Sequence, residues 1–157
     1  MLEKIEEWIH ELNASHEQVR RSCSILHDHF NGFYSIDFLK TAYFVVTDNI
    51  PKPDFPELRE AGLGDFIDMD PEGITYNDTY YIKPNAVNVL SLHFHELVHV
   101  IQYDELTQQG FIKRYIQEIK DFGYDNAPLE KMAYELENRY KKNGAHINVE
   151  QFVRNNL

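Results

Sequence analysis

The amino-acid sequence predicts an α+β protein in which a small, mostly antiparallel sheet lies between two groups of helices. Apolar residues recur at spacings of three and four near both ends of the chain, which is the period of amphipathic helices. Residues 33–84 instead contain β-branched and aromatic runs separated by prolines, which is typical of strands and turns. A chain of 157 residues with 43% hydrophobic content suits one domain with a sizeable core. We therefore predict a single domain with N-terminal helices over residues 1–32, the sheet over 33–84 and further helices over 85–157.

Two helices are predicted in the N-terminal third. The first should run for about three turns, because its apolar residues lie at helical spacing; they are Leu2, Ile5, Ile9 and Leu12. Ser15 followed by Gln18 resembles a capping box, so a second helix is predicted from there to Gly32. Its apolar face would consist of Val19, Cys23, Leu26 and Phe30.

The middle third contains three stretches with the composition of strands, namely residues 42–47, Phe66–Met69 and Ile74–Lys83. The turn at residues 48–51 ends the first stretch. Asp70–Gly73 is predicted to join the other two stretches as a hairpin turn, since it contains proline and glycine. Asn77–Asp78 predicts a bulge or a tight turn inside the last stretch.

The last third is predicted to be helical. The expected helices run over residues 88–108, from Phe111 to Gly123, from Pro128 to about Gly144, and over a short last segment capped by Asn148 and Gln151. Gly110 should mark the break between the first two of these helices.

The first of these helices contains the motif His95-Glu96-x-x-His99. Residues four apart lie on one face of a helix, so the two imidazoles can bind the same metal ion. Glu96 lies about 100° round the helix from His95, where it can reach a metal-bound water as general base without ligating the metal. The motif therefore predicts a zinc hydrolase site.

A catalytic zinc normally takes three protein ligands, and the helix that begins at Pro128 is the place to look for the third. That helix offers Glu130, Glu135 and Glu137. Glu130 and Glu137 share a stripe with the small Ala133, which allows close helix packing, whereas Glu135 points about 140° away from Glu130. We predict Glu130 as ligand with Glu137 in contact with a ligand, and Glu137 as ligand in the alternative.

Charge and composition bear on the partners of the chain. The net charge of −11 argues against nucleic acid, because phosphate binding needs a basic surface. Cys23 is the only cysteine, so no intrachain disulfide can form. The acidic N-terminus lacks the features of a signal peptide, and no apolar run is long enough to cross a membrane. A cytoplasmic protein is the expectation, although export by a dedicated machine would leave no such signal. The sequence leaves the oligomeric state open.

The chain resembles the gluzincin metallopeptidases, and its size and Gln102 are similar to those of minimal bacterial gluzincins. The resemblance rests on His95-Glu96-Leu97-Val98-His99 and on Glu130-Lys131-Met132-Ala133-Tyr134, in which Tyr134 replaces the usual Asp. It implies a zincin-like fold, one Zn²⁺ per chain and hydrolysis of peptide bonds with Glu96 as general base.

The same resemblance implies a Tyr or His that stabilises the oxyanion, for which the candidates are Tyr124, Tyr134 and His146. A peptide or protein substrate would pair with the edge of the sheet, most naturally along Ile74–Lys83.

Two other interpretations compete with the peptidase. One is a zinc-stabilised interaction domain of the same fold without turnover, suggested by the small size and by Tyr134. The other is a di-iron carboxylate protein, because Glu7-x-x-His10 and Glu96-x-x-His99 repeat the Glu-x-x-His pattern of such bundles.

Overall fold

The computed structural model describes all residues, 1–157, and its architecture is α+β. The helices are α1 (Leu2–Ser15), α2 (Ile36–Leu39), α3 (Pro56–Leu58), α4 (Gly64–Asp68), α5 (Leu90–Leu106), α6 (Gln108–Phe122), α7 (Pro128–Lys141) and α8 (Val149–Asn156). The strands are β1 (Arg21–Ser22), β2 (Tyr43–Val46), β3 (Gly73–Tyr76) and β4 (Thr79–Ile82). None of the helices combines the length and the apolar character that a bilayer crossing requires.

The sheet has the strand order β1-β2-β4-β3 and is mixed. The pairs β1–β2 and β3–β4 are antiparallel, as predicted, but the central pair β2–β4 is parallel. The small size of the sheet is therefore confirmed, and the antiparallel expectation holds only for its outer pairs. The segment from β2 to β3 makes the parallel pair possible, because it returns the chain to the far side of β4.

The first predicted helix is confirmed by α1, but the second predicted helix is wrong. Arg21 and Ser22 pair with β2, and the amide of Cys23 donates to the carbonyl of Ala42. A 3₁₀ turn then runs over Cys23–Leu26, with the Ser22 hydroxyl accepting from the amide of Ser24. Pairing with the sheet has overridden the helical spacing, and three of the four apolar residues still reach the core in the irregular chain, namely Cys23, Leu26 and Phe30.

The middle third also differs from its prediction. The expected strand Phe66–Met69 belongs to a helical segment, since α4 covers Gly64–Asp68 after a π-helical turn at Arg59–Leu63. The hairpin turn does not lie at Asp70–Gly73 but at Asn77–Asp78, between β3 and β4. Asn77 has a φ of 63°, a left-handed conformation that asparagine tolerates better than most residues. Of the bulge and the tight turn that were predicted for Asn77–Asp78, the tight turn is therefore confirmed.

Helix α5 lies between the sheet and the C-terminal helices. It contacts β3 and β4 on one side and α6, α7 and α8 on the other. Eleven consecutive residues of this helix, His93–Tyr103, are buried, so it has no solvent-facing side along its middle. A helix enclosed in this way holds its polar side chains only where neighbouring elements supply partners.

The C-terminal half follows its prediction closely. The break predicted at Gly110 is wrong by three residues: the chain breaks at Thr107, which has a φ of 66°, and Gly110 belongs to the first turn of α6. Helix α6 ends at Gly123, as expected. Pro128 occupies the first turn of α7, and the Asn148 side chain accepts from the amide of Gln151 at the start of α8. These ends are local in origin, which is why the sequence predicted them.

Candidate metal centre

His95, His99 and Glu130 come together between α5 and α7. They are the only group of three or more metal-binding side chains in the structure, and their ligand atoms all lie within 4.8 Å of one another. Nε2 of His95 is 3.3 Å from Nε2 of His99, and each of these nitrogens is 3.1 Å from one oxygen of Glu130. A tetrahedral ion with bonds of about 2.0–2.1 Å separates its ligand atoms by about 3.3 Å. The spacing of the three groups therefore fits a zinc-sized ion.

The far nitrogens of both histidines are held by hydrogen bonds. Nδ1 of His95 lies 2.9 Å from Oε1 of Glu137, and Nδ1 of His99 lies 2.8 Å from Oε1 of Gln102. Both oxygens accept, so both Nδ1 atoms carry the proton and direct Nε2 towards Glu130. The Gln102 amide is itself oriented, because its nitrogen donates to the carbonyl of Leu129 at 3.1 Å. These contacts fix the tautomer that metal binding needs.

Glu130 is positioned by the packing of α7 and by Tyr115. Ala133 is fully buried, so α7 can lie close to α5. The carboxylate of Glu118 accepts from the amide of Leu129 at 2.8 Å and so fixes the first turn of α7, where Glu130 lies. The hydroxyl of Tyr115 donates to Oε2 of Glu130 at 2.6 Å. Glu130 is therefore a held carboxylate and not a free surface glutamate.

Glu96 lies next to this group without belonging to it. It is only 3% exposed, and the hydroxyl of Thr75 on β3 donates to its Oε1 at 2.8 Å. Its Oε2 makes no hydrogen bond. Gly73 of β3 also packs against Glu96, since a Cβ at this position would be in ordinary van der Waals contact with the carboxyl carbon of Glu96, at 3.5 Å. Strand β3 thus holds one oxygen of Glu96 and leaves the other available.

The pKa values in the group follow from burial and mutual charge. Burial alone would lower the pKa of His95, but its hydrogen bonds with Glu130 and Glu137 outweigh this and raise the pKa to about 10. His99 shows the same balance, with Glu130 raising its pKa. Burial would raise the pKa of Glu130, yet the two imidazoles hold it well below its ordinary value. Burial raises the pKa of Glu96, and the two histidines only partly oppose it.

Two spaces adjoin Glu96. An open cleft of ≈ 640 Å³ has His95 and Glu96 among its lining residues. A second, narrower cavity of ≈ 70 Å³ reaches His99 and Glu130 and is lined mainly by hydrophobic side chains from α1, β3, α6 and the segment before β3. The cleft and the cavity share five lining residues, which are Phe66, Gly73, Glu96, Ile119 and Tyr124. Glu96 therefore lies where the cleft and the cavity adjoin.

The oxyanion candidates lie in different places. Tyr124 lines both the cleft and the cavity, and Tyr134 lines the cleft with its ring 4.5 Å from that of His95. Burial raises the pKa of both hydroxyls, that of Tyr134 to about 12, so both keep their protons at neutral pH. His146 packs against Phe33 at 5.1 Å between ring centroids and lines neither space.

The other predicted residues are also placed. Glu137 contacts the far nitrogen of His95 and Glu130 the near one, which corresponds to the first of the two predicted assignments. Glu135 is exposed on another side of α7. Glu7 and His10 are exposed on α1 and belong to no group of metal-binding residues, so α1 brings no ligand set to α5.

Sequence reasoning missed three side chains that contact the group or the neighbouring Glu96. The role of Gln102 could have been inferred, because it lies three residues after His99 on the same helix. Tyr115 lies at the spacing of an apolar face in the sequence of α6, so nothing in the sequence distinguishes it from a core residue. Thr75 becomes visible only when β3 is placed beside α5.

Searches with the whole chain return no match to a family model, to a curated protein or to a solved structure. The geometry of the metal centre, the cleft and the cavity is therefore the basis for inferring a function.

Proposed function

We propose that the protein is a zinc-dependent peptidase in which His95, His99 and Glu130 hold one zinc ion. A single observation carries the proposal: three buried ligand atoms, spaced as a tetrahedral ion requires, lie beside a buried carboxylate that lines an open cleft. Structural zinc sites normally close with four protein ligands, whereas catalytic sites keep one position open. A site with three protein ligands therefore favours a catalytic role for the metal over a structural one.

Zinc bound to these residues would polarise the scissile carbonyl and make water more acidic. Glu96 would act as the general base and would later return the proton to the leaving amine. Its burial raises the pKa, which makes the carboxylate a stronger base than an exposed glutamate. Thr75 holds Oε1, so Oε2 is the atom that would accept the proton. Tyr124 and Tyr134, as neutral donors in the cleft, are the candidates for contact with the developing oxyanion.

The cleft also bears on where a peptide would lie. Strand β4 is internal to the sheet, so within residues 74–83 only β3 offers an edge. The four residues before β3 and its first residue, Met69–Gly73, line the cleft in one continuous run, and Glu96 lines the same cleft. We propose that the substrate backbone lies along this run, with one side chain directed towards the apolar cavity.

The test of the proposal combines metal analysis with turnover. Protein expressed with zinc and purified without chelator should contain about one zinc per chain, and a panel of unstructured proteins should be cleaved in a chelator-sensitive way. Glu96→Gln should keep the zinc and abolish cleavage, because the amide cannot accept the proton. Protein without zinc, or cleavage that survives Glu96→Gln, would contradict the proposal.

The burial of the centre favours a second candidate, a zinc-stabilised domain without turnover. His95, Glu96, His99 and Glu130 are between 2% and 4% exposed, which is typical of a structural site. This candidate predicts that chelation lowers the melting temperature strongly, since metal binding couples to folding. It also predicts that Glu96→Gln changes no function, so the experiment above separates the two candidates.

A further inference from the structure

The open cleft is much more acidic than the rest of the chain. Six of its 17 lining residues are Asp or Glu, against 26 of 157 in the whole sequence. No Lys or Arg lines it, although the chain contains 15 such residues. The acidity of the cleft therefore exceeds what the overall composition accounts for.

Only part of this charge is neutralised inside the protein. Asp70 forms an ion pair with Lys83 at 2.6 Å, and Glu137 contacts His95. Glu96 is buried and accepts a hydrogen bond from the hydroxyl of Thr75. The remaining three acids are exposed and have no basic side chain within 4.0 Å; they are Asp65, Glu72 and Asp125.

These three carboxylates line the cleft from three different elements and do not form one patch on one element. Asp65 comes from α4, Glu72 from the run that leads into β3, and Asp125 from the connection between α6 and α7. Charges of one sign around a cleft with low-dielectric walls add their fields inside it and concentrate ions of the opposite sign. A substrate in this cleft would meet negative potential from all three elements and would adjoin the apolar cavity that Glu96 also lines.

We propose that the substrate of this site is a cationic peptide, in which an apolar side chain enters the cavity and neighbouring lysine or arginine side chains contact Asp65, Glu72 and Asp125. The proposal rests on the peptidase function proposed above, since it assigns the substrate class of the same cleft. The three carboxylates are specificity-determining residues, and the chemical step does not involve them.

Binding can be measured without turnover. Zinc-loaded Glu96→Gln protein is titrated into fluorescently labelled octapeptides that share a central leucine flanked by lysine, by glutamine or by glutamate. A fourth peptide keeps the lysines but carries serine in place of leucine. We expect the lysine–leucine peptide to bind on the order of tenfold more tightly than the glutamine peptide at low salt, because exposed charges each contribute modestly. Added salt should reduce this preference.

A matched pair of triple variants tests the assignment to the cleft. Asp65→Asn/Glu72→Gln/Asp125→Asn in the Glu96→Gln background should lose the preference for lysine. Glu7→Gln/Glu11→Gln/Asp104→Asn removes the same charge from exposed acids outside the cleft and should keep it. Equal loss in both triple variants, no loss in the first, or no difference among the peptides would each overturn the proposal.

Hydrolysis by the wild-type protein separates this inference from the proposed function. Binding with the expected preference but without cleavage of any peptide would refute the peptidase and leave the cationic ligand class standing. Cleavage of all peptides without regard to charge would support the peptidase and refute the cationic substrate. Equal binding of the leucine and serine peptides would overturn the assignment of the apolar side chain to the cavity.

Discussion

Helix α5 carries two clusters of buried side chains, one around His93 and the other containing His95 and His99. The histidine pKa shifts in opposite directions in the two clusters. In the first, the hydroxyl of Tyr80 donates to Nδ1 of His93 at 2.6 Å, and Nε2 of His93 donates to the carbonyl of Val87 at 2.8 Å. The second contains His95 and His99, whose partners include carboxylates. Burial lowers the pKa of His93, whereas the carboxylates raise that of His95 to about 10. Because both clusters are buried, the direction of the pKa shift depends on the hydrogen-bond partners of the histidines and not on burial.

The difference shows what distinguishes a structural histidine from a candidate metal ligand on the same helix. His93 uses both of its ring nitrogens in bonds to neutral groups, so it has no free lone pair for a metal and no charge to balance. His95 and His99 each keep Nε2 directed at the other and at Glu130. A cation satisfies that arrangement better than any neutral partner does.

The largest effect should come from removing the carboxylate that the two imidazoles share. Glu130→Ala should lower zinc affinity by one to several orders of magnitude, about 1.4 kcal/mol for each tenfold, because two histidines alone hold zinc weakly. Competition with a chromogenic chelator measures the change. Glu135→Ala on the exposed side of α7 is the control and should leave affinity unchanged. If Glu137→Ala empties the site and Glu130→Ala does not, the assignment of the third ligand is wrong.

The pH dependence of stability should separate the zinc-free protein from the zinc-bound one. The pKa of His95 rises from 6.5 to about 10 in the folded zinc-free protein. The stability that this proton contributes is complete below pH 6.5 and is lost as the pH rises through 10, on the order of a few kcal/mol. Zinc displaces the proton, so its stabilising effect should increase over the same window. Thermal unfolding with and without zinc at pH 6.5, 8 and 9.5 measures it, and a constant difference would contradict the expectation.

A smaller effect is expected from the groups behind the two histidines. Glu137→Ala and Gln102→Ala each remove the acceptor that fixes Nδ1 of one imidazole, and each should reduce zinc affinity on the order of 10–100-fold. The same chelator competition gives the numbers. Because Gln102 also contacts α7 through the carbonyl of Leu129, thermal stability must be measured in parallel. A loss of zinc affinity as large as that of Glu130→Ala would indicate that these residues are themselves ligands.

The smallest effect should come from the His93 cluster, and only on stability. Tyr80→Phe leaves Nδ1 of His93 without its donor and should lower the free energy of unfolding by about 1–3 kcal/mol. Zinc affinity should not change, because Tyr80 contacts neither His95 nor His99. Chemical denaturation and chelator competition on the same variant provide both readouts. A clear drop in affinity would mean that the two clusters on α5 are coupled.

The sequence predicted the candidate ligands well because their geometry is local. His95, Glu96 and His99 lie within five residues of one helix, and Glu130 lies in the first turn of a helix whose start Pro128 marks. The helical periodicity that relates these residues needs no tertiary information. Thr75 and Tyr115 were missed because their roles depend on how β3 and α6 pack against α5 and α7.

The failures lie where tertiary contacts override local pattern. Val19 to Phe30 has helical spacing, but the pairing of Arg21 and Ser22 with β2 prevents a helix there. Phe66–Met69 has the composition of a strand, yet Phe66–Asp68 belong to α4, where Ile67 is buried in the core. The parallel pair β2–β4 could not be predicted from composition either, because a parallel pairing depends on a distant connection.

The connection from β2 to β3 is longer than its end points require. The two strands are separated only by β4, a distance of about 10 Å that four or five extended residues would span. The chain uses about 26 residues instead. The added loop-closure entropy costs only about 1.5 kcal/mol, because this cost grows with the logarithm of length. Burial of Leu58, Leu63 and Ile67 offsets it, at about 1.5–3 kcal/mol for each side chain. A version shortened to a direct linker would keep the strand order, but it would leave the apolar cavity beside Glu96 without its cover.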